Sequence, residues 1–115
     1  MKFSSALKLN HIFRRLYGTN GQSTGLLVLY ARKNRLQQNR VGITVSKKLG
    51  GAVVRNRTRR RLREVYRLNE DRFLPGYDIV VVARSQAVGA SFRELSDAYL
   101  AAAEKAKILR SERQQ

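Results

Sequence analysis

The sequence is poor in several residue types, and each shortage narrows the class of protein. It contains no cysteine, so neither disulfide bonds nor thiolate metal sites hold the fold together. No apolar run approaches the roughly 20 residues that a helix needs to span a membrane. The first residues, Met1 to Ser5, lack the apolar stretch of a signal peptide. We therefore expect a cytoplasmic protein.

Acidic residues are also scarce. Eight Asp and Glu stand against 24 Lys and Arg, which gives a formal net charge of +16, and His11 is the single histidine. Glu70 and Asp71 form the only adjacent acidic pair, and a solvated turn explains it better than a two-metal site. A protein nuclease with its own catalytic cluster is therefore disfavoured. The excess positive charge repels itself, which favours a polyanionic partner.

The length and composition favour one globular domain over residues 1–115. A chain of 115 residues can bury roughly two thirds of its unfolded surface, and 43% of its residues are hydrophobic. Its single proline, Pro75, precedes Gly76 in a turn signal and does not mark a linker. We expect a core over about residues 8–109 and a frayed tail over residues 110–115.

Hydrophobic periodicity predicts an α/β sandwich, with about three helices packed on a small four-stranded mixed sheet. A first helix begins near Asn10, and a last helix is capped by Ser91 and Glu94. The strands Leu26–Ala31 and Val41–Ser46 are close in sequence and are expected to pair as a hairpin. The predicted strands are Leu26–Ala31, Val41–Ser46 and Asp78–Ala83, and Thr19–Gly25 is either a loop or a weak edge strand. The middle helix runs from about Ala52 to Leu68.

The middle helix is amphipathic, with a strongly basic polar face. At 100° per residue, its apolar stripe is predicted to face the sheet and its opposite side to carry arginines. Glu64 is the only acid between Arg55 and Arg67, against seven arginines. Like charges four residues apart destabilise a helix, so solubility alone does not explain these arginines. The guanidinium group of arginine can form two parallel hydrogen bonds to one phosphate, which favours a polyanionic partner. The stripe is Val54, Thr58, Leu62 and Val65; the polar side is Asn56, Arg59, Arg60, Arg63 and Arg67.

Two lysines and two glycines precede this helix. Lys47 and Lys48 lie just before Gly50 and Gly51. Glycines near a helix N-terminus leave backbone N–H groups accessible at the positive end of the helix dipole, where phosphate binds well. Because glycine at such a turn also has a purely geometric explanation, the pair is a weak signal by itself.

An ordered set of motifs resembles the bacterial ribonuclease P protein family. Its centre is the run RVGITVSKKLG at residues 40–50, followed by AVVRNR at residues 52–57. The resemblance covers roughly residues 8–109. Other matching positions are the aromatic pair Phe13 and Tyr17, the sheet residues Val28 and Tyr30, the turn at residues 75–78, and Ala83 with Arg84.

The resemblance implies a fold like domain 2 of ribosomal protein S5, with a left-handed crossover through the basic helix. It also implies a protein subunit that helps a catalytic RNA remove the 5′ leader of precursor tRNA, with Mg²⁺ held mainly by the RNA and no protein catalytic residue. No membrane and no obligate protein partner is expected. The catalytic RNA would bind Lys47, Lys48, Arg55, Asn56, Arg57, Arg59, Arg60, Arg63 and Arg67. A cleft between the basic helix and the sheet would hold the leader at Phe13, Tyr17, Val28 and Tyr30.

Two other binding functions remain open on composition alone. A structural RNA-binding protein, such as a small ribosomal protein, would share the charge and the basic helix. A DNA-binding helix would usually mix more base-reading amides among its arginines than the single Asn56. One departure from the family pattern is Arg61, which stands where an apolar residue is common and is expected to run along the edge of the sheet.

Overall fold

The structure is a computed structural model that describes residues 16–110 and, for the backbone alone, residues 4–6. The predicted helix start at Asn10 and the side chain of Phe13 lie outside these residues. Three 3₁₀ turns occur at Lys47–Leu49, Glu70–Arg72 and Ser85–Ala87. The strands are β1 (Ser4–Ala6), β2 (Gln22–Ser23), β3 (Leu27–Lys33), β4 (Asn39–Thr44) and β5 (Tyr77–Ala83); the helices are α1 (Ala52–Asn69) and α2 (Phe92–Lys105).

The strands form one mixed sheet in the order β1-β4-β5-β3-β2. β4 and β5 are parallel neighbours joined through α1, and β3 pairs antiparallel with β5. The predicted α/β sandwich is confirmed, with β1 and β2 as very short edge strands. The hairpin predicted for Leu26–Ala31 and Val41–Ser46, which correspond to β3 and β4, is wrong, because β5 lies between these two strands in the sheet.

The main core lies between one face of the sheet and the two helices. Leu62 and Val65 of α1 pack with Leu29, Ile79 and Val81 of the sheet in one buried cluster. These strand residues alternate with residues on the other face, which we call the open face because α1 and α2 do not cover it. The open face therefore carries the even-numbered residues of β3, β4 and β5.

The predicted amphipathic pattern of α1 is confirmed on its buried side. Thr58, Leu62 and Val65 are buried, as is Tyr66, which lies about 120° from Val54 on the wheel. Val54 itself is only partly buried. Arg61 lies beside this stripe and donates from Nη2 to the carbonyl oxygen of Ala90 at 2.8 Å, which links α1 to the segment before α2.

The capping box predicted for the last helix is also confirmed. The hydroxyl of Ser91 accepts from the backbone N–H of Glu94, and the Glu94 carboxylate accepts from the N–H of Ser91. The hydrogen bond from the backbone N–H of Ser91 to the Glu94 carboxylate, followed by a contribution from the Ser91 side chain, lowers the pKa of Glu94, because the charged form is stabilised. Leu95, Tyr99 and Ala102 bury the inner side of α2.

The end of the described chain is held against the segment before β5. Arg110 was predicted to fray, but its backbone N–H donates to Arg72 and its Nε donates to the Asp71 carbonyl. Phe73 and Leu109 form an isolated bridge between the same two segments. In the described part of the chain, no helix is long and apolar enough to cross a membrane.

Candidate nucleic-acid interface

The polar side of α1 presents a row of guanidinium groups to solvent. We call Asn56, Arg59, Arg60, Arg63 and Arg67 the basic face. Arg60 and Arg63 are exposed, and neither forms an ion pair within residues 16–110. The Oδ1 atom of Asn56 accepts from Nη1 of Arg59 at 2.9 Å, which orients that guanidinium along the helix.

One acid compensates part of this charge. Arg67 donates from Nε to Glu64 at 2.9 Å and forms a second hydrogen bond to the same carboxylate. The pair lowers the pKa of Glu64 and raises the pKa of Arg67, because the hydrogen bonds favour both charged forms. Arg67 is therefore a weaker candidate for phosphate binding than Arg60 or Arg63.

The segment before α1 extends the basic surface. Lys47 and Lys48 are exposed in the 3₁₀ turn Lys47–Leu49, which is capped by Ser46, whose side chain accepts from the Lys48 N–H. Gly50 has φ +148°, and a Cβ there would lie 3.0 Å from Val54, so a larger residue would be strained. The N-cap Gly51 supplies no side-chain hydrogen bond, and the first turn contains no acid.

Arg55 and Arg57, the two arginines of the RNR tripeptide at residues 55–57, differ in their surroundings. Arg57 is exposed, whereas Arg55 is partly buried. The Nε atom of Arg55 is buried without a hydrogen-bond partner within the described residues. Arg57 therefore presents its guanidinium group to solvent beside the basic face, whereas the Nε atom of Arg55 is not accessible.

The open face carries the predicted leader residues for which side chains are described. Val28 and Tyr30 lie on β3 opposite Val82 and Val80 of β5, and β4 continues these rows with Thr44 and Gly42. Leu16 is fully buried against Val80 on this face. The result is an apolar strip that α1 and α2 leave uncovered.

Two tyrosines meet on this strip. Tyr17 and Tyr30 form an edge-to-face pair with ring centroids 5.2 Å apart, and Tyr17 is 43% exposed. Gly21 lies over Tyr30, since a Cβ at Gly21 would meet the ring at 2.7 Å and Val28 at 2.8 Å. Tyr17 therefore offers the more accessible ring, and Tyr30 supports it.

The structure separates the basic face from the tyrosine pair. Helix α1 packs on the core side of the sheet, whereas Tyr30 groups with Leu16 and Val80 on the open face. The expected cleft between the basic helix and the sheet is therefore not where Tyr17 and Tyr30 lie. The described residues instead provide two surfaces on opposite sides of β3, β4 and β5.

Sequence reasoning missed three further residues on the open face. Arg32, Asp78 and Arg40 lie side by side on β3, β5 and β4, in the row next to Tyr30. Alternation within each strand could have assigned them to a face. Their proximity depends on a strand order that local patterns do not specify.

Comparisons with known proteins agree with this fold. The family model described as Ribonuclease P matches residues 1–107. The chain is 41% identical over 112 residues to the ribonuclease P protein component of Alkaliphilus oremlandii, covering 96% of this chain and 98% of that protein. It is 44% identical over 95 residues to the corresponding protein of Clostridioides difficile, covering 80% and 82% of the two chains.

Solved structures show the same architecture. The RNase P protein of Staphylococcus aureus superposes with a TM-score of 0.83 at 31% identity, covering 91% of this chain and 97% of that one. The protein from Thermotoga maritima superposes with a TM-score of 0.76 at 29% identity, covering 84% and 92%. The family match over nearly the whole chain and the shared fold lead to one conclusion: this chain belongs to the ribonuclease P protein family.

Proposed function

We propose that this chain is the RNA-binding protein subunit of a ribonuclease P and uses two opposite surfaces for two RNAs. Its family acts in processing of the tRNA 5′ end. The observation that carries the two-surface proposal is the position of the sheet between the basic face and the tyrosine pair. One surface binds the catalytic RNA, and the other binds the precursor substrate.

The basic face is suited to a structured RNA. Arg60 and Arg63 are exposed without ion pairs in the described chain, so binding does not require a protein contact to be broken first. Each phosphate that an arginine neutralises releases condensed counterions, which favours binding at moderate salt. Lys47 and Lys48 lengthen this surface beyond the start of α1.

The open face is suited to a single strand. Base stacking on an aromatic ring contributes about 1–3 kcal/mol per base and tolerates any sequence. Precursor tRNAs have leaders of different sequence, so a leader-binding surface needs this tolerance. Tyr17 offers an exposed ring, and Tyr30, Val28 and Val82 supply an apolar floor. Phe13 remains a predicted member of this surface.

The chemistry we assign to the holoenzyme is hydrolysis of one phosphodiester bond, which leaves a 5′-phosphate on the tRNA. Mg²⁺, held mainly by the catalytic RNA, would supply the metal-ion chemistry. Within residues 16–110 there is no group of three or more His, Cys, Asp or Glu side chains arranged to hold a metal. The protein's part is to neutralise phosphates and to hold the leader, and we place this work in the cytoplasm.

A series of leader lengths tests the proposal. Precursor tRNAs with leaders of one to ten nucleotides are bound by the reconstituted holoenzyme, and affinity should rise over the first several nucleotides and then level off. Tyr17→Ala should flatten the rise, because one stacked base is lost. Phe92→Ala is the matched control, since this 37% exposed aromatic residue lies on α2, away from the open face.

The results separate the functions clearly. An affinity that ignores leader length in the native holoenzyme would contradict leader binding by the protein. Equal losses from Tyr17→Ala and Phe92→Ala would contradict the assignment to the open face. The alternative of a structural RNA-binding protein outside tRNA processing is not favoured by the family match. It would show as co-purification with ribosomal RNA.

A further inference from the structure

The apolar strip on the open face ends in a row of charged residues. Cα pairing places Arg32 of β3 opposite Asp78 of β5, and Arg40 of β4 on the other side of Asp78. Along β3, this row lies two residues from Tyr30, which corresponds to about 6.7 Å of strand rise. The charged row therefore directly continues the surface proposed for the leader.

Asp78 holds the guanidinium group of Arg40 in a fixed plane. Arg40 donates from Nε to Oδ1 and from Nη2 to Oδ2, both at 2.6 Å, so the fork and the carboxylate are nearly coplanar. Asn34 donates from Nδ2 to the same Oδ1 at 3.0 Å, which fixes the carboxylate in turn. Asp78 is buried, with 7% of its surface exposed, whereas the Arg40 side chain remains 27% exposed.

This fixed plane has the properties of a stacking surface. A guanidinium plane stacks on nucleobases, as it does on aromatic rings. Because Asp78 neutralises the charge of Arg40, the pair is better suited to a base than to a phosphate.

Arg32 differs from Arg40 although both flank Asp78. It is exposed and forms no ion pair within residues 16–110, since the only carboxylate opposite it is taken by Arg40. Its charge is therefore uncompensated at the edge of the row. A side chain of this kind suits a phosphate group.

We propose that the Arg32–Asp78–Arg40 row is a nucleotide subsite of the open face, in which Arg40 stacks a base and Arg32 binds the adjoining phosphate. The proposal rests on the proposed function of the open face and adds a nucleotide position to it. Asp78 and Asn34 are positioning residues, because they act on the nucleotide only through Arg40.

The test uses the reconstituted holoenzyme and precursor tRNAs with one abasic nucleotide placed at each leader position in turn. Arg40→Lys retains a cation but loses the planar fork. It should lower affinity for intact leaders by about fivefold or more, the effect of losing one stack. At one leader position, the abasic substitution should remove the difference between the native protein and Arg40→Lys. Arg32→Gln should instead lower the salt slope of binding by about 0.7, with or without that base.

Several outcomes would overturn the subsite. The subsite is wrong if Arg40→Lys binds leaders with the same affinity as the native protein. It is also wrong if Arg40→Lys loses the same affinity for intact and abasic leaders at every position, or if the salt slope of leader binding is unchanged in Arg32→Gln. If the native affinity still rises with leader length in these cases, the proposed function stands and only this subsite fails. A native affinity that ignores leader length would overturn both. Binding of the catalytic RNA and the thermal unfolding midpoint report the folding of each variant, and the exposed Arg32 carries the test if Arg40→Lys is unstable.

Discussion

Replacing Arg60 and Arg63 with alanine should weaken binding of the catalytic RNA and lower its salt dependence. Both side chains are exposed and form no ion pair in the described chain, so each is available to neutralise one phosphate. Each lost phosphate contact removes about 0.7–0.9 from the slope of log affinity against log salt. The double variant should therefore lose about 1.4–1.8 units of slope. When the salt concentration rises fourfold, the affinity of the double variant should therefore fall by a factor about ten times smaller than the affinity of the native protein does.

The structure supplies a matched control on the same helix. Arg67→Ala also removes one arginine, but that arginine is paired with Glu64, so its loss should change the slope by less than half of one full contact. The double variant should fold at least as well as the native chain, because it removes the like-charge pairs that Arg63 forms with Arg59 and Arg67 and because alanine favours helix.

The assay is equilibrium binding of labelled catalytic RNA at several monovalent salt concentrations, with Mg²⁺ held constant. Circular dichroism melting confirms that each variant is folded. A slope that is the same in the native protein and in the Arg60→Ala, Arg63→Ala variant would refute the assignment of the basic face. An Arg67→Ala variant that loses a full unit would refute the role given to Glu64.

Three further substitutions test the packing that supports the two surfaces. Gly21→Ala should lower leader-dependent affinity and spare catalytic RNA binding, because its Cβ would displace the Tyr30 ring; Gly89→Ala, where nothing lies within 4 Å, is the control. Tyr99→Phe should raise the free energy of unfolding in urea by about 1 kcal/mol, since this buried hydroxyl has no hydrogen-bond partner among the described residues, and a loss would contradict the reasoning. Ser91→Ala should cost about 1 kcal/mol in the same urea experiment through loss of the helix cap, and an unchanged midpoint would argue against the cap.

The same capping box predicts a pH dependence. Folding lowers the pKa of Glu94, so the ionised carboxylate stabilises the folded state. This contribution to folding stability is fully present above the ordinary pKa of glutamate and is lost as the pH falls through the lowered pKa of the folded state. Thermal melts from neutral to acidic pH should therefore show a smaller acid-induced decrease in Glu94→Gln than in the native protein. Parallel decreases in the two proteins would show that Glu94 does not contribute.

Local patterns predicted the helices and strands well where the hydrophobic residues followed a clear helical or strand period. Arginines spaced around α1 indicated its solvent side, and Ser91 with Glu94 marked the start of α2, because both signals act within a few residues. Val41 and Ile43 on β4 face the core, as their alternation with Gly42 and Thr44 along the sequence indicates. Tyr66 was missed because aromatic residues at the edge of a helical stripe can face either way.

The order of the strands, and which residues lie on the same surface, could not be predicted from local patterns. The proximity of β3 and β4 in sequence favoured a hairpin, but the parallel connection through α1 inserts β5 between them. Arg40 and Asp78 are 38 residues apart and meet only through this pairing. For the same reason, sequence reasoning placed the leader residues beside the basic helix, whereas the sheet separates them.

The central claim is that two opposite surfaces bind two RNAs, and one paired measurement tests it most directly. The Arg60→Ala, Arg63→Ala variant and the Tyr17→Ala variant are each assayed for catalytic RNA affinity and for the gain in precursor affinity with leader length, the second at saturating protein. The two-surface account predicts that the arginine variant loses only the first quantity and the tyrosine variant only the second. If both variants lose both quantities in the same proportion, a single shared surface binds the two RNAs and the account is contradicted.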